Sequence, residues 1–159
     1  MRAAFFHGLE SPAVSEKNTI LEKHFSEVYA PPMNYRDPAL FARVLQDIQE
    51  NRPDFLIGSS MGGWFAFCLS TVTGIPTLLF NPALVGRSFD PAVETGGETP
   101  RQTVVLGKDD EVVNGRDSMS WLVDNYDGGM LFTHEKMAHR IPAGVFEKWV
   151  SKISQKKDI

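Results

Sequence analysis

Short β-rich runs alternate with stretches of helical periodicity along the chain, the pattern of a parallel sheet covered by helices. Six runs read as strands: Arg2–Phe6, Glu27–Ala30, Phe55–Gly58, Thr77–Phe80, Thr103–Leu106 and Met130–Thr133. Between them the apolar positions fall on one helical face. After Asp37-Pro38, read as an N-cap and first-turn proline, come Leu40, Phe41, Val44, Leu45 and Ile48. Met119, Leu122, Val123 and Tyr126 repeat that spacing, as do Val145, Phe146, Trp149, Val150 and Ile153, so both stretches should lie on the sheet. Trp64 to Leu69 is apolar around the whole circumference and predicts a helix covered on nearly all sides. The fold class is therefore α/β: a doubly wound, mostly parallel six-stranded sheet with helices on both faces, in one domain spanning residues 1–159.

A strand order of 2-1-3-4-5-6 makes strands 1 and 3 neighbours whose outgoing connections diverge to opposite faces. A crevice opens between them, and ligands of open α/β sheets bind at such a switch point. One long segment breaks the pattern. Asn81 to Arg101 holds Pro82, Gly86, Pro91, Gly96, Gly97 and Pro100, and an irregular stretch of that length is a candidate lid.

Composition narrows the class of protein. The 159 residues are 42% hydrophobic and 23% charged, and thirteen glycines and ten prolines follow no triplet period, so collagen-like and disordered chains are excluded. Sixteen basic against twenty acidic residues give a formal charge of −4, and the basic cluster Lys148 to Lys157 reads as a solvated helix end, so nucleic acid is not the expected partner. A lone cysteine, Cys68, forms no internal disulfide and suits a reducing compartment, with the cytoplasm the expected location. Within the apolar helix its thiol reads as space-filling. The N-terminus turns polar at His7, too early for a secretory signal, and Trp64 to Phe80 is interrupted well short of the about 20 apolar residues of a membrane span.

The chemistry concentrates at the third strand, where Phe55-Leu56-Ile57-Gly58 leads into Ser59-Ser60-Met61-Gly62-Gly63 and then into the apolar helix. Gly58-x-Ser60-x-Gly62 at a strand-to-helix turn is the form of a nucleophile elbow, where a serine sits on a sharp turn and flanking glycines avoid collisions with backbone. A phosphate loop is a poorer reading, because neither Gly-Lys-Ser/Thr nor a complete Gly-x-Gly-x-x-Gly is present. The helix N-terminus favours negative charge, which makes the Met61 N–H one oxyanion donor. The first strand ends in His7-Gly8-Leu9, where Gly8 permits a tight turn that aims the Leu9 N–H inward as a second donor. His7 reads as structural.

A serine hydroxyl needs a base, and the base an orienting carboxylate. Asp109 and Asp110 follow the fifth strand, and His134 and His139 follow the sixth. Ser, Asp, His is the chain order of the hydrolase triad built on this kind of sheet, with all three on loops at its carboxyl edge. His24, beside Phe25 in a helix, reads as a packing or surface residue, and Trp64, Trp121 and Trp149 as core.

Taken together, Phe6-His7-Gly8-Leu9-Glu10-Ser11-Pro12, Ile57-Gly58-Ser59-Ser60-Met61-Gly62-Gly63, Phe80-Asn81-Pro82-Ala83, Asp110-Glu111-Val112 and Ala138-His139 resemble the α/β-hydrolase superfamily, in particular its small YqiA-like esterases. The resemblance implies a compact hydrolase without a large cap, a Ser60–Asp110–His139 triad, a small-molecule acyl ester or thioester substrate, and neither metal nor organic cofactor. It favours Asp110 over Asp109 and His139 over His134. Two features differ from those esterases: the stretch between strands four and five is shorter, and Glu135-Lys136-Met137-Ala138 stands where they carry Gly-Gly before the histidine. The rival reading is a hydrolase-like fold kept as a non-catalytic ligand-binding or interaction module. Contact between the imidazole and the Ser60 hydroxyl discriminates the two.

Overall fold

The apolar runs become strands joined by helical crossovers in a computed structural model that describes residues 1–91 and 100–155. The elements are β1 (Arg2–Phe6), α1 (Glu16–His24), β2 (Glu27–Tyr29), α2 (Leu40–Asn51), β3 (Phe55–Ser59), α3 (Met61–Thr73), β4 (Thr77–Phe80), β5 (Gln102–Gly107), α4 (Gly115–Asn125), β6 (Met130–Glu135) and α5 (Ala143–Ser154). The sheet order is β2-β1-β3-β4-β5-β6, as the switch-point argument requires. Every neighbouring pair is parallel, so the sheet has no antiparallel member.

Side chains alternate between two apolar layers, as the two-residue period of a strand dictates when both faces are covered. Ala4, Phe6, Leu56, Leu79, Val104 and Leu106 face one layer with residues of α2, α3 and α4. Ala3, Phe5, Ile57, Leu78, Phe80 and Val105 face the other, against α1 and α5. From Met61 to Thr71 α3 is buried without a break, which is why its sequence is apolar all round. Its thiol, Cys68, is buried, and that burial pushes its ionisation well above the ordinary range, leaving it a space-filling group.

Several boundaries shift by one or two residues, and two of the shifts have their reason in local hydrogen bonding. The helix after Asp37-Pro38 begins only at Leu40. Asp37 caps a preceding turn instead: its Oδ1 accepts the Ala39 N–H at 2.9 Å and its carbonyl the Leu40 N–H at 3.1 Å. β5 begins one residue early, at Gln102, a polar side chain that sequence pattern reads as loop. It belongs to the strand because its polar groups are paired inside: Oε1 accepts from Thr77 Oγ1 at 2.6 Å and Nε2 donates to Ser70 Oγ at 2.9 Å. Gln102→Leu leaves the Thr77 hydroxyl without its acceptor in a buried site, and should lower unfolding free energy by about 1–3 kcal/mol in urea titrations.

The candidate lid is only partly described. Asn81 and Leu84 are buried, and Phe89 stacks on Phe65 with ring centroids 5.8 Å apart, so the start of this stretch belongs to the core. Residues 92–99 of that segment lie outside the described residues. Among the described residues no helix is long and apolar enough to cross a membrane.

Candidate active site

At the end of β3 the chain reverses sharply. Ser60 takes φ 54° and ψ −120°, a conformation that L side chains rarely adopt, before α3 starts at Met61. The neighbouring glycines are forced by proximity of backbone. A Cβ on Gly58 would lie 2.2 Å from the Gly62 carbonyl oxygen, and one on Gly62 would lie 2.0 Å from the Phe6 carbonyl oxygen. The elbow is fixed from outside as well: the Ser60 N–H donates to the Phe80 carbonyl at 3.0 Å, and the Ser60 carbonyl accepts the Ala83 N–H at 3.0 Å.

Three side chains meet over this turn. Ser60 Oγ lies 3.0 Å from His139 Nε2, and His139 Nδ1 lies 2.8 Å from Asp110 Oδ2. With Nδ1–H donating to the carboxylate, Nε2 is the acceptor for the hydrogen bond from the Ser60 hydroxyl. Asp110 cannot swing away, because its Oδ1 accepts the Val112 and Val113 N–H groups at 2.8 and 2.9 Å. Its side chain is 1% exposed, against 25% for His139.

The competing residues fall elsewhere. Asp109 is exposed. β6 runs two residues past its sequence-based end, to Glu135, so His134 sits on the strand opposite Leu106 and is exposed. Residues 136–142 then carry His139 back over the elbow. One end of this loop is held by Glu135, whose Oε1 accepts from Lys148 Nζ at 2.6 Å and Trp149 Nε1 at 2.8 Å.

The other support comes from a residue to which sequence reasoning gave no role. Asn81, 1% exposed and at φ 42°, donates through Nδ2 to the carbonyls of Ala138 and His139, both at 3.2 Å. Its Oδ1 accepts the Gly107 N–H at 2.7 Å. Gly107 is required there, since a Cβ would stand 2.5 Å from the Met137 carbonyl oxygen. Asparagine tolerates positive φ, and Asn81-Pro82 at a strand end was the available signal.

The segments that carry the two expected oxyanion donors, Met61 and Gly8-Leu9, adjoin Ser60. Met61 is the first residue of α3, so its N–H has no carbonyl partner in the helix. Gly8 and Leu9 belong to a turn closed by Ser11 N–H to Gly8 carbonyl at 3.2 Å, and a Cβ on Gly8 would stand 3.3 Å from Ser60 Cβ. The loop is anchored by His7, whose Nε2 accepts the Met33 N–H at 3.1 Å and whose carbonyl accepts the Tyr35 hydroxyl at 2.5 Å. Burial pushes the pKa of that hydroxyl up, keeping it a neutral donor. Beside the loop a cavity of about 760 Å³ reaches Ser60 and His139, with Leu9 and Val112 among its apolar lining. Trp64 and Trp121 pack in the layer of α2, α3 and α4, while Trp149, on α5, packs in the layer shared with α1. Among the described residues no group of three His, Cys, Asp or Glu could hold a metal ion.

Solved structures share this architecture across nearly the whole chain. A Xanthomonas campestris pv. campestris protein assigned to the alpha/beta superfamily of hydrolases is 19% identical, with TM-score 0.73 and coverage of 97% of this chain and 96% of the other. Est1E from Butyrivibrio proteoclasticus is 13% identical, with TM-score 0.66 and coverage of 98% and 87%. The esterase domain of a Rhodothermus marinus protein is 14% identical, with TM-score 0.66 and coverage of 97% and 84%. The fold is thus that of the α/β hydrolases. No curated protein matches the chain in sequence. The model of one family matches residues 3–95, more than half the chain, and the chain accordingly belongs to the uncharacterised protein family UPF0227.

Proposed function

We propose that this protein is a serine hydrolase that cleaves small acyl esters or thioesters through an acyl-enzyme on Ser60. The observation that carries the reading is the unbroken line from hydroxyl through imidazole to carboxylate, with contacts of 3.0 and 2.8 Å, on a serine held at positive φ.

In the first step Ser60 Oγ attacks the acyl carbonyl while His139 Nε2 takes the serine proton. Asp110 stabilises the resulting imidazolium through Nδ1. The carbonyl oxygen gathers the negative charge and accepts hydrogen bonds donated by the Met61 and Leu9 N–H groups. Collapse of the tetrahedral intermediate breaks the bond to the alkoxide or thiolate, which leaves with the proton from His139. Water, deprotonated by the same imidazole, then attacks the acyl-enzyme, releases the acid and restores Ser60. A non-catalytic module would have no use for this alignment, and the contact between His139 and Ser60 favours the enzyme.

Treatment with a fluorophosphonate, followed by peptide mapping, tests the reading. The expected adduct is on the peptide bearing Ser60, since such reagents need an activated serine. No adduct, or one on another side chain, overturns it.

A further inference from the structure

Resting on that hydrolase reading, we propose that the substrate carries an anionic group held by Lys17 and Arg140. Both side chains line the cavity that reaches Ser60 and His139. Lys17 comes from the first turn of α1, the helix that follows the Gly8-Leu9 loop, and Arg140 directly follows the histidine.

These charges are unspent. Neither cation has a carboxylate within ion-pair distance among the described residues, and of the described cations without an ion pair these two line the cavity. Glu10 and Glu16 also line the cavity, but both are exposed and neither pairs with Lys17 or Arg140. Lys17 is half-buried, its Nζ standing 5.7 Å from the Phe146 ring centroid. Burial, and then repulsion from Arg140, hold its ammonium below the usual lysine range. Two cations that line one cavity, and that neither Glu10 nor Glu16 pairs, are positioned to hold a bound anion. The apolar rim at Leu9 and Val112, exposed by 55% and 67%, suits the hydrocarbon part of the same ligand. An ester with a charged end and an apolar body matches both halves.

Two matched substrate pairs test this. One compares the 4-nitrophenyl monoester of adipic acid with 4-nitrophenyl hexanoate. The other compares the butyryl thioester of 3-mercaptopropionate with that of propanethiol. At low salt the charged member of at least one pair should have a kcat/KM at least tenfold higher. Lys17→Met and Arg140→Gln should each bring that ratio towards one, in variants that still take the fluorophosphonate on Ser60. Equal rates in both pairs by a wild-type protein that labels at Ser60 would overturn this inference and leave the hydrolase standing. A preference that survives both substitutions would overturn the assignment to these cations. Failure of the wild type to label removes the hydrolase reading and this one with it.

Discussion

Ser60→Ala should lower esterase turnover by about 10⁴-fold or more under the proposed mechanism, in which the nucleophile, imidazole and carboxylate act as one unit and what survives comes from binding and the oxyanion donors alone. Ser60→Gly should be equally inactive, and comparing the two isolates the backbone. Both variants lose the hydroxyl and its contact with His139. They differ in that alanine must still hold φ 54° and ψ −120°, where its Cβ is crowded, while glycine adopts that conformation freely. Strain of this kind costs about 1–3 kcal/mol, and the extra freedom of glycine in the unfolded chain returns about 0.5–1 kcal/mol of it. Ser60→Gly should therefore be more stable than Ser60→Ala by about 1–2 kcal/mol in denaturant titrations. The reverse order would mean that the elbow carries no strain. Residual turnover within tenfold of wild type would place the nucleophile elsewhere.

Why the fold is legible in the sequence follows from the two covered faces of the sheet. A parallel strand buried on both sides must be apolar at consecutive positions, so runs such as Thr77–Phe80 stand out against the polar connections. The helix from Met61 is legible for the same reason. What the pattern loses is polarity satisfied within the structure. Gln102 and His134 look like loop residues, yet one is buried in a hydrogen-bond network and the other extends an edge strand whose faces are only partly covered. The Asp37 signal is genuine but two residues early, because a carboxylate can close a turn as readily as it caps a helix.

The candidate site divides along the same line. Gly58, Ser60 and Gly62 can be read because the elbow compresses its requirements into five adjacent residues, with both glycines dictated by backbone contact. Asp110 and His139 are brought there by loops whose course is set by contacts distant in sequence. Chain order alone leaves Asp109 and His134 as alternatives to the pair that the resemblance favours, and in the structure the two N–H bonds to Asp110 and the length of β6 separate them. Asn81 is the extreme case. Its function depends on Gly107, Ala138 and His139 at once, none of which is near it in the chain.

Asn81→Leu should therefore damage catalysis more than binding. Leucine approximates the shape of asparagine but serves none of its three partners, leaving the Gly107 N–H and the carbonyls of Ala138 and His139 to be satisfied otherwise. The Gly107 amide is fixed at the end of β5, so the movable partner is the 136–142 loop. Shifting that loop displaces the imidazole from Ser60, and a misplacement of about 1 Å costs on the order of 10²-fold in rate. Asn81 does not line the cavity, whose apolar rim at Leu9 and Val112 stays in place, so KM should remain within about threefold while kcat falls about 10²-fold. Stability should fall by about 1–3 kcal/mol, because a buried N–H loses its acceptor. Asn81→Asp separates the two hydrogen-bonding functions: its carboxylate still accepts the Gly107 N–H but repels both carbonyls of the histidine loop. It should retain more of the fold than Asn81→Leu while losing comparable turnover. A kcat within twofold of wild type in both variants would show that the imidazole is held without Asn81, and that Glu135 with its partners on α5 suffices to position it.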